Sequence, residues 1–164
     1  MSSPLLITTL AFFVVGGGGT MIAYFAGAFD TSSVRTDGKY FNFHEYVMYG
    51  GKFNYIGNKK KPPTVDDVKK LLNDPSKGGN YLRFLDENIR RMDFPVAYGF
   101  VSKPRVYEAK TDTNAFNATA EYVNRWCNWT KDYPLLPIKM QFTDEQLKKI
   151  PFWDTFENAC LEAI

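Results

Sequence analysis

The sequence predicts a mainly α protein: one N-terminal transmembrane helix followed by a small helical domain with a candidate β-hairpin and extended proline-containing arms. Three observations predict it. Charge is excluded from one end, since of 38 charged side chains only Asp30 falls within the first 34 residues. Beyond residue 64, apolar residues recur at helical spacing behind Thr-x-x-Asp and Thr-x-x-Gln capping patterns. Prolines and glycines punctuate the stretches between them. A chain of 164 residues suits one folding unit, and the charge boundary divides it into an anchor, 1–34, and a soluble or interfacial domain, 35–164. A net charge of +2 with 45% hydrophobic and 23% charged residues excludes a disordered tail and gives no concentrated basic surplus for nucleic acid.

From Leu5 to Phe29 no residue is charged, and a helix of that length rises ~37 Å, enough to cross a bilayer core of ~30 Å with some tilt. The competing reading is a secretory signal peptide, for which Ala26-Gly27-Ala28 offers a cleavage site. No Lys or Arg precedes the apolar run, and the run is about twice the usual length of a signal core. The retained span is therefore favoured. Within it, Gly16, Gly17, Gly18 and Gly19 each cost ~1 kcal/mol against alanine in a helix. With Ala23 and Gly27 continuing a small-residue stripe, their physical use is close packing against neighbouring helices. No Gly-Lys-Ser/Thr follows, which removes a phosphate-cradling loop. The basic residues all lie beyond the apolar run, so the positive-inside rule puts the C-terminal part on the matrix, stromal or cytosolic side.

Tyr40, Phe41, Phe43, Tyr46, Tyr49, Phe53 and Tyr55 follow closely. Arg35, Lys39, Tyr40 and Tyr46 are candidates for the lipid headgroup level, where phospholipids would meet an apolar ring with a polar tip. A hairpin of Tyr46–Tyr49 and Phe53–Ile56 about Gly50-Gly51 is a compatible alternative. Lys59-Lys60-Lys61-Pro62-Pro63 reads as a solvated connector. Thr64 opens a helix with Val65, Val68, Leu71 and Leu72 on one face, and Asn80 opens a second through Met92, the two forming a helical hairpin. Pro95, Gly99 and Pro104 then impose a surface-following segment with short extended pieces at Phe100-Val101 and Val106-Tyr107. A third helix runs from Thr113 or Asn114 to about Trp129, and the Pro134-Leu135-Leu136-Pro137 arm follows. Thr143 and Gln146 cap a last helical stretch interrupted at Pro151, and the apolar Ile164 suggests a docked terminus.

No catalytic, cofactor or metal site is expected, and the chain is not read as an enzyme. His44 is the one histidine, beside Glu45, and that pair falls short of a metal or nucleophilic site. Cys127 and Cys160 lack zinc-knuckle, dithiol or haem spacing and fall on apolar helix faces, so buried free thiols are preferred over a disulfide. Asn117-Ala118-Thr119 and Asn128-Trp129-Thr130 match the glycosylation pattern, but composition alone produces about one such triplet. Paired acids such as Asp66-Asp67 and Asp86-Glu87 lie near basic residues on helix faces, where solvation outranks acid–base work.

A sole N-terminal span, glycine-rich for contact, carrying a small aromatic-dense domain with proline arms, resembles the accessory subunits of mitochondrial energy-converting complexes. The resemblance is one of whole-chain architecture. It implies a non-catalytic structural or assembly subunit of the respiratory chain, in respiratory complex I, cytochrome oxidase or the cytochrome bc1 complex, with ATP synthase as an alternative. It implies a single-pass location in the mitochondrial inner membrane and other membrane subunits as partners. Trp126, Trp129, Trp153, Leu135 and Leu136 would then anchor polar partners. The rival readings are a secreted or luminal glycoprotein with a cleaved leader and a Cys127–Cys160 bridge, and a membrane-anchored enzyme of unknown type using His44 and Glu45.

Overall fold

A computed structural model describes residues 37–134 and 140–164. These lie in a compact unit, Val34–Ile164. The unit is mainly helical. Its elements run β1 (Lys39–Tyr40), α1 (Phe43–Tyr49), β2 (Phe53–Tyr55), α2 (Val65–Leu72), α3 (Gly78–Asn88), α4 (Thr113–Thr130), β3 (Phe142–Thr143), α5 (Asp144–Lys148), α6 (Trp153–Cys160) and β4 (Leu161–Ala163). Single 3₁₀ turns occupy Ile89–Arg91, Val96–Tyr98 and Val106–Lys110.

The membrane-spanning part of the expected fold is corrected. Among the described residues no helix is long and apolar enough to cross a membrane, so the integral single-pass location in the inner membrane is set aside. The stretch assigned to the span, with Gly16, Gly17, Gly18, Gly19, Ala23 and Gly27, lies outside the described residues, as do Arg35, Leu135 and Leu136.

The expected hairpin is also replaced. Asn42 accepts a hydrogen bond from the Glu45 amide and starts α1, whose Phe43, Tyr46 and Val47 share a buried face at helical spacing. β2 pairs antiparallel with β4 instead, Asn54 opposite Glu162, and β1 pairs with β3 in a second two-stranded ladder. Two short ladders thus tie residues near the start of the unit to its last elements.

Capping chemistry fixes the helices as the sequence suggests. Thr64 and Asp67 bond reciprocally at the start of α2, and Thr143 and Gln146 do so at α5. Asp112 accepts from the Ala115 amide to open α4. α3 starts two residues earlier than expected and has no side-chain cap; its Gly78 passes so close to α2 that a Cβ would sit 2.3 Å from the Leu72 carbonyl oxygen. The Lys59–Pro63 connector is more than solvated chain. Lys59 exchanges backbone hydrogen bonds with Tyr55, and the Pro63 carbonyl accepts from Asn124 at 2.7 Å.

Two aromatic groups fill the core. Around Trp153 lie Phe43, Tyr46, Phe53 and Phe156, with edge-on contacts at 5.1 Å to Phe43 and 5.2 Å to Tyr46. Around Phe152 lie Trp126, Trp129 and Tyr133. Phe152 adopts φ +78°, an uncommon value for a bulky residue, between Pro151 and the first turn of α6. Trp126, Trp129 and Trp153 are therefore interior, at 0%, 7% and 1% exposure, and not the partner anchors their size suggested. Tyr40 and Tyr46 are interior as well, at 4% and 1%, and are unavailable to headgroups.

The cysteines are joined. Cys127 in α4 and Cys160 at the end of α6 form a disulfide in the buried core, overturning the free-thiol expectation. Apolar helix faces predict burial equally for both states; the register of α6 against α4 brings the two Cα atoms to 5.8 Å.

Candidate functional site

Segment 89–105 departs most from the buried pattern. It leaves α3 through the Ile89–Arg91 turn, and Met92 is fully buried, its carbonyl accepting from the Tyr122 hydroxyl. Burial pushes that phenol up to about 12, so it remains a donor at any physiological pH. Phe94 then packs edge-on against Tyr122 at 5.3 Å and touches Trp129 at 6.1 Å. The Arg125 guanidinium sits 5.9 Å above its ring. On the return side, Lys103 donates to the Arg90 carbonyl at 2.8 Å and pairs with Asp93 at 2.5 Å. The loop is pinned at both feet.

Between those feet the backbone makes one 3₁₀ turn, Val96–Tyr98, closed by Gly99 at φ +74°, a conformation that glycine adopts without strain. The geometry turns Val96 and Phe100 outward, each 97% exposed, with Tyr98 at 55%. A cleft of about 630 Å³ lies under this tip, with Phe94, Val101 and Tyr122 among its lining. The expected extended piece at Val106-Tyr107 is a 3₁₀ turn instead, and its Val106 is buried.

A second cleft, of about 730 Å³, adjoins the first at Asp93. Its charged lining is Arg90, Arg91, Lys148 and Lys149 against Asp93 and Asp154, over a floor that includes Ile150 and Phe152. Exposed apolar side chains and a basic surround therefore share one region.

His44 and Glu45 do not converge. His44 Nδ1 lies 2.7 Å from the Tyr55 hydroxyl, whereas Glu45 Oε2 accepts from the Phe41 amide at 3.0 Å. Burial, with help from Lys131 and against Asp132, lowers the His44 pKa and favours the neutral ring. Burial also raises the Tyr55 hydroxyl. The pair links α1 to β2. Among the described residues no group of three or more His, Cys, Asp or Glu side chains could hold a metal ion.

Of the two glycosylation triplets, Asn128 is exposed and Asn117 half-buried, while the Thr119 and Thr130 hydroxyls are buried and bond back to the Ala115 and Trp126 carbonyls. Lys39 is exposed on β1.

Sequence reasoning placed the 93–112 segment on the surface and missed its tip. The available signal was Phe94, Val96, Tyr98 and Phe100 crowded around Pro95 and Gly99, more apolar side chains than a short loop can bury. Comparison with family models, with curated proteins and with solved structures returned no match.

Proposed function

We propose that this chain is a non-catalytic interaction domain of an oxidising compartment, a structural member of a larger assembly that it contacts through the Val96–Phe100 tip. The observation that carries the reading is the full exposure of Val96 and Phe100 on a loop pinned at both feet. Leaving such side chains in water forgoes ~1.5–3 kcal/mol each relative to burial, a cost removed when a partner covers them. The compartment follows from the buried Cys127–Cys160 bond, because disulfides persist where the medium is oxidising and are rare where glutathione and thioredoxin keep thiols reduced. This argues against the cytosolic or matrix side.

Two homes meet that condition. On the secretory route, the exposed Asn128 would be the candidate glycan acceptor. The other is the mitochondrial intermembrane space, the side opposite to the matrix placement expected from the positive-inside rule. Removal of N-glycans from the native protein separates them, since only the first gives a shift in mobility.

The test is native purification in mild detergent with identification of co-migrating components. The wild-type chain is expected to co-migrate with partners that V96S/F100S loses. Equal recovery of partners by both chains sinks the assignment of the tip. Alkylation of both cysteines in freshly extracted protein without reductant sinks the compartment.

A further inference from the structure

We propose that the surface covered by the tip is an anionic phospholipid bilayer, on which the domain docks peripherally. The inference rests on the reading of the tip as a contact site and names its partner.

Charge complementarity selects the occupant. Arg90, Arg91, Lys103, Arg125, Lys148 and Lys149 surround the two adjoining clefts, and Asp93 and Asp154 are the acids among the residues that line them. Asp93 is already paired with Lys103. Lys148 likewise pairs with Asp144 at 3.1 Å, so Arg90, Arg91 and Lys149 supply the excess positive charge beside the tip, although the whole chain carries only +2. Basic side chains near an anionic leaflet each contribute about a fivefold gain in affinity, corresponding to ~1 kcal/mol.

The apolar part suits the same surface. Val96 and Phe100 project beyond the loop, and Tyr98, half-exposed with a polar end, is the kind of ring found at headgroup level. A fluid interface receives separate apolar tips without a matching pocket, and dispersed cations find headgroups without fixed acceptors. A protein partner would instead need an acidic rim and a socket shaped for two side chains held apart by a 3₁₀ turn. Because Phe94 and Lys103 fix the feet of the loop, little ordering entropy is lost on insertion.

The experiment uses full-length protein with its disulfide intact, mixed with vesicles of phosphatidylcholine alone or of equal parts phosphatidylcholine and phosphatidylserine. Amide exchange over residues 94–103 gives a readout confined to the loop. The expected result is slower exchange there with phosphatidylserine vesicles alone. R90Q/R91Q should weaken that response about 25-fold, the product of two fivefold losses. V96S/F100S should abolish it while the unfolding midpoint stays in place. Loop exchange indifferent to phosphatidylserine, or unchanged in V96S/F100S, overturns the proposal. If V96S/F100S strips a protein from the native preparation while vesicles leave the loop untouched, the partner is a protein: the lipid inference fails and the function proposed above stands. If the variant alters neither, both fail.

Discussion

The group around Trp153 and the tip at Val96–Phe100 are made of the same kinds of side chain and meet opposite fates. In the first, Phe43, Tyr46 and Phe156 are presented by helical turns whose outward neighbours are polar, so each ring finds the next at 5–6 Å. In the second, Phe94 is drawn inward by Tyr122 and Trp129 on α4, Val101 packs against the core, and half-exposed Tyr98 keeps an edge-on contact with Trp129. The 3₁₀ turn that follows gives Val96 and Phe100 nothing to lie against. Aromatic density therefore says little about inside and outside; the backbone period and the presence of a facing helix decide.

The sharpest way to break this contrast is mutation on its two sides. Trp153→Ala is expected to cost ~3–5 kcal/mol, whereas Phe100→Ala stays within about 0.5 kcal/mol, both by urea unfolding. Comparable losses would mean that the tip belongs to the core. Next in size is the disulfide that staples the buried side. C127A/C160A removes a cross-link between residues 33 apart, and the chain-entropy model assigns such a loop ~3–4 kcal/mol. The melting temperatures of the variant and of reduced wild type, each compared with that of oxidised wild type, measure it. No change in either would mean that the bond is not formed in solution.

A smaller effect sits between the two regions, at the α2 cap. Burial would raise the Asp67 carboxyl, but the Lys59 ammonium at 2.7 Å and the hydrogen bonds from Thr64 hold it at about 2 against an ordinary 3.8. A depressed carboxylate stabilises the fold fully above pH ~4, and that contribution is lost as pH falls toward 2. Asp67→Asn should therefore cost ~2 kcal/mol at neutral pH and flatten the acid limb of a stability–pH curve, and an unaltered acid limb would remove Asp67 as its source. The smallest effect belongs to His44. Its lowered pKa means that the unfolded chain binds the proton more readily, so stability should decline as pH drops below 6.5 and onward through the lower folded value. His44→Gln should remove that slope, and persistence of the slope would assign it to another group.

The capped helices were legible because their signals are local. Thr64 with Asp67, Thr143 with Gln146, and the start of α4 near Thr113 can each be read within four residues. α1 carried the same kind of signal, Asn42 three residues before Glu45, but the four apolar residues Tyr46–Tyr49 fit a strand as readily as a helical turn, and the glycines after them favoured the hairpin. β2 was legible as a strand and illegible in its pairing, since its partner lies in Leu161–Ala163. The disulfide escaped for a similar reason: two cysteines on apolar faces look alike joined or free until the packing of α4 on α6 is known. At the candidate site, the surface course of 95–104 was readable from Pro95, Gly99 and Pro104, whereas Val106 and Ala109 beyond it turn into the core. Which side chains point outward depends on Tyr122 and Trp129, in a helix that begins nine residues after Pro104.

The antiparallel ladder between β2 and β4 carries an implication for biosynthesis. Phe53 opposes Ala163, so the first of these strands is synthesised about 110 residues before the second. Cys127 likewise waits for Cys160. Helices α2 to α4 can assemble as they emerge, but both the ladder and the cross-link wait for α6 and β4, so closure of the domain is a late event whatever forms before it.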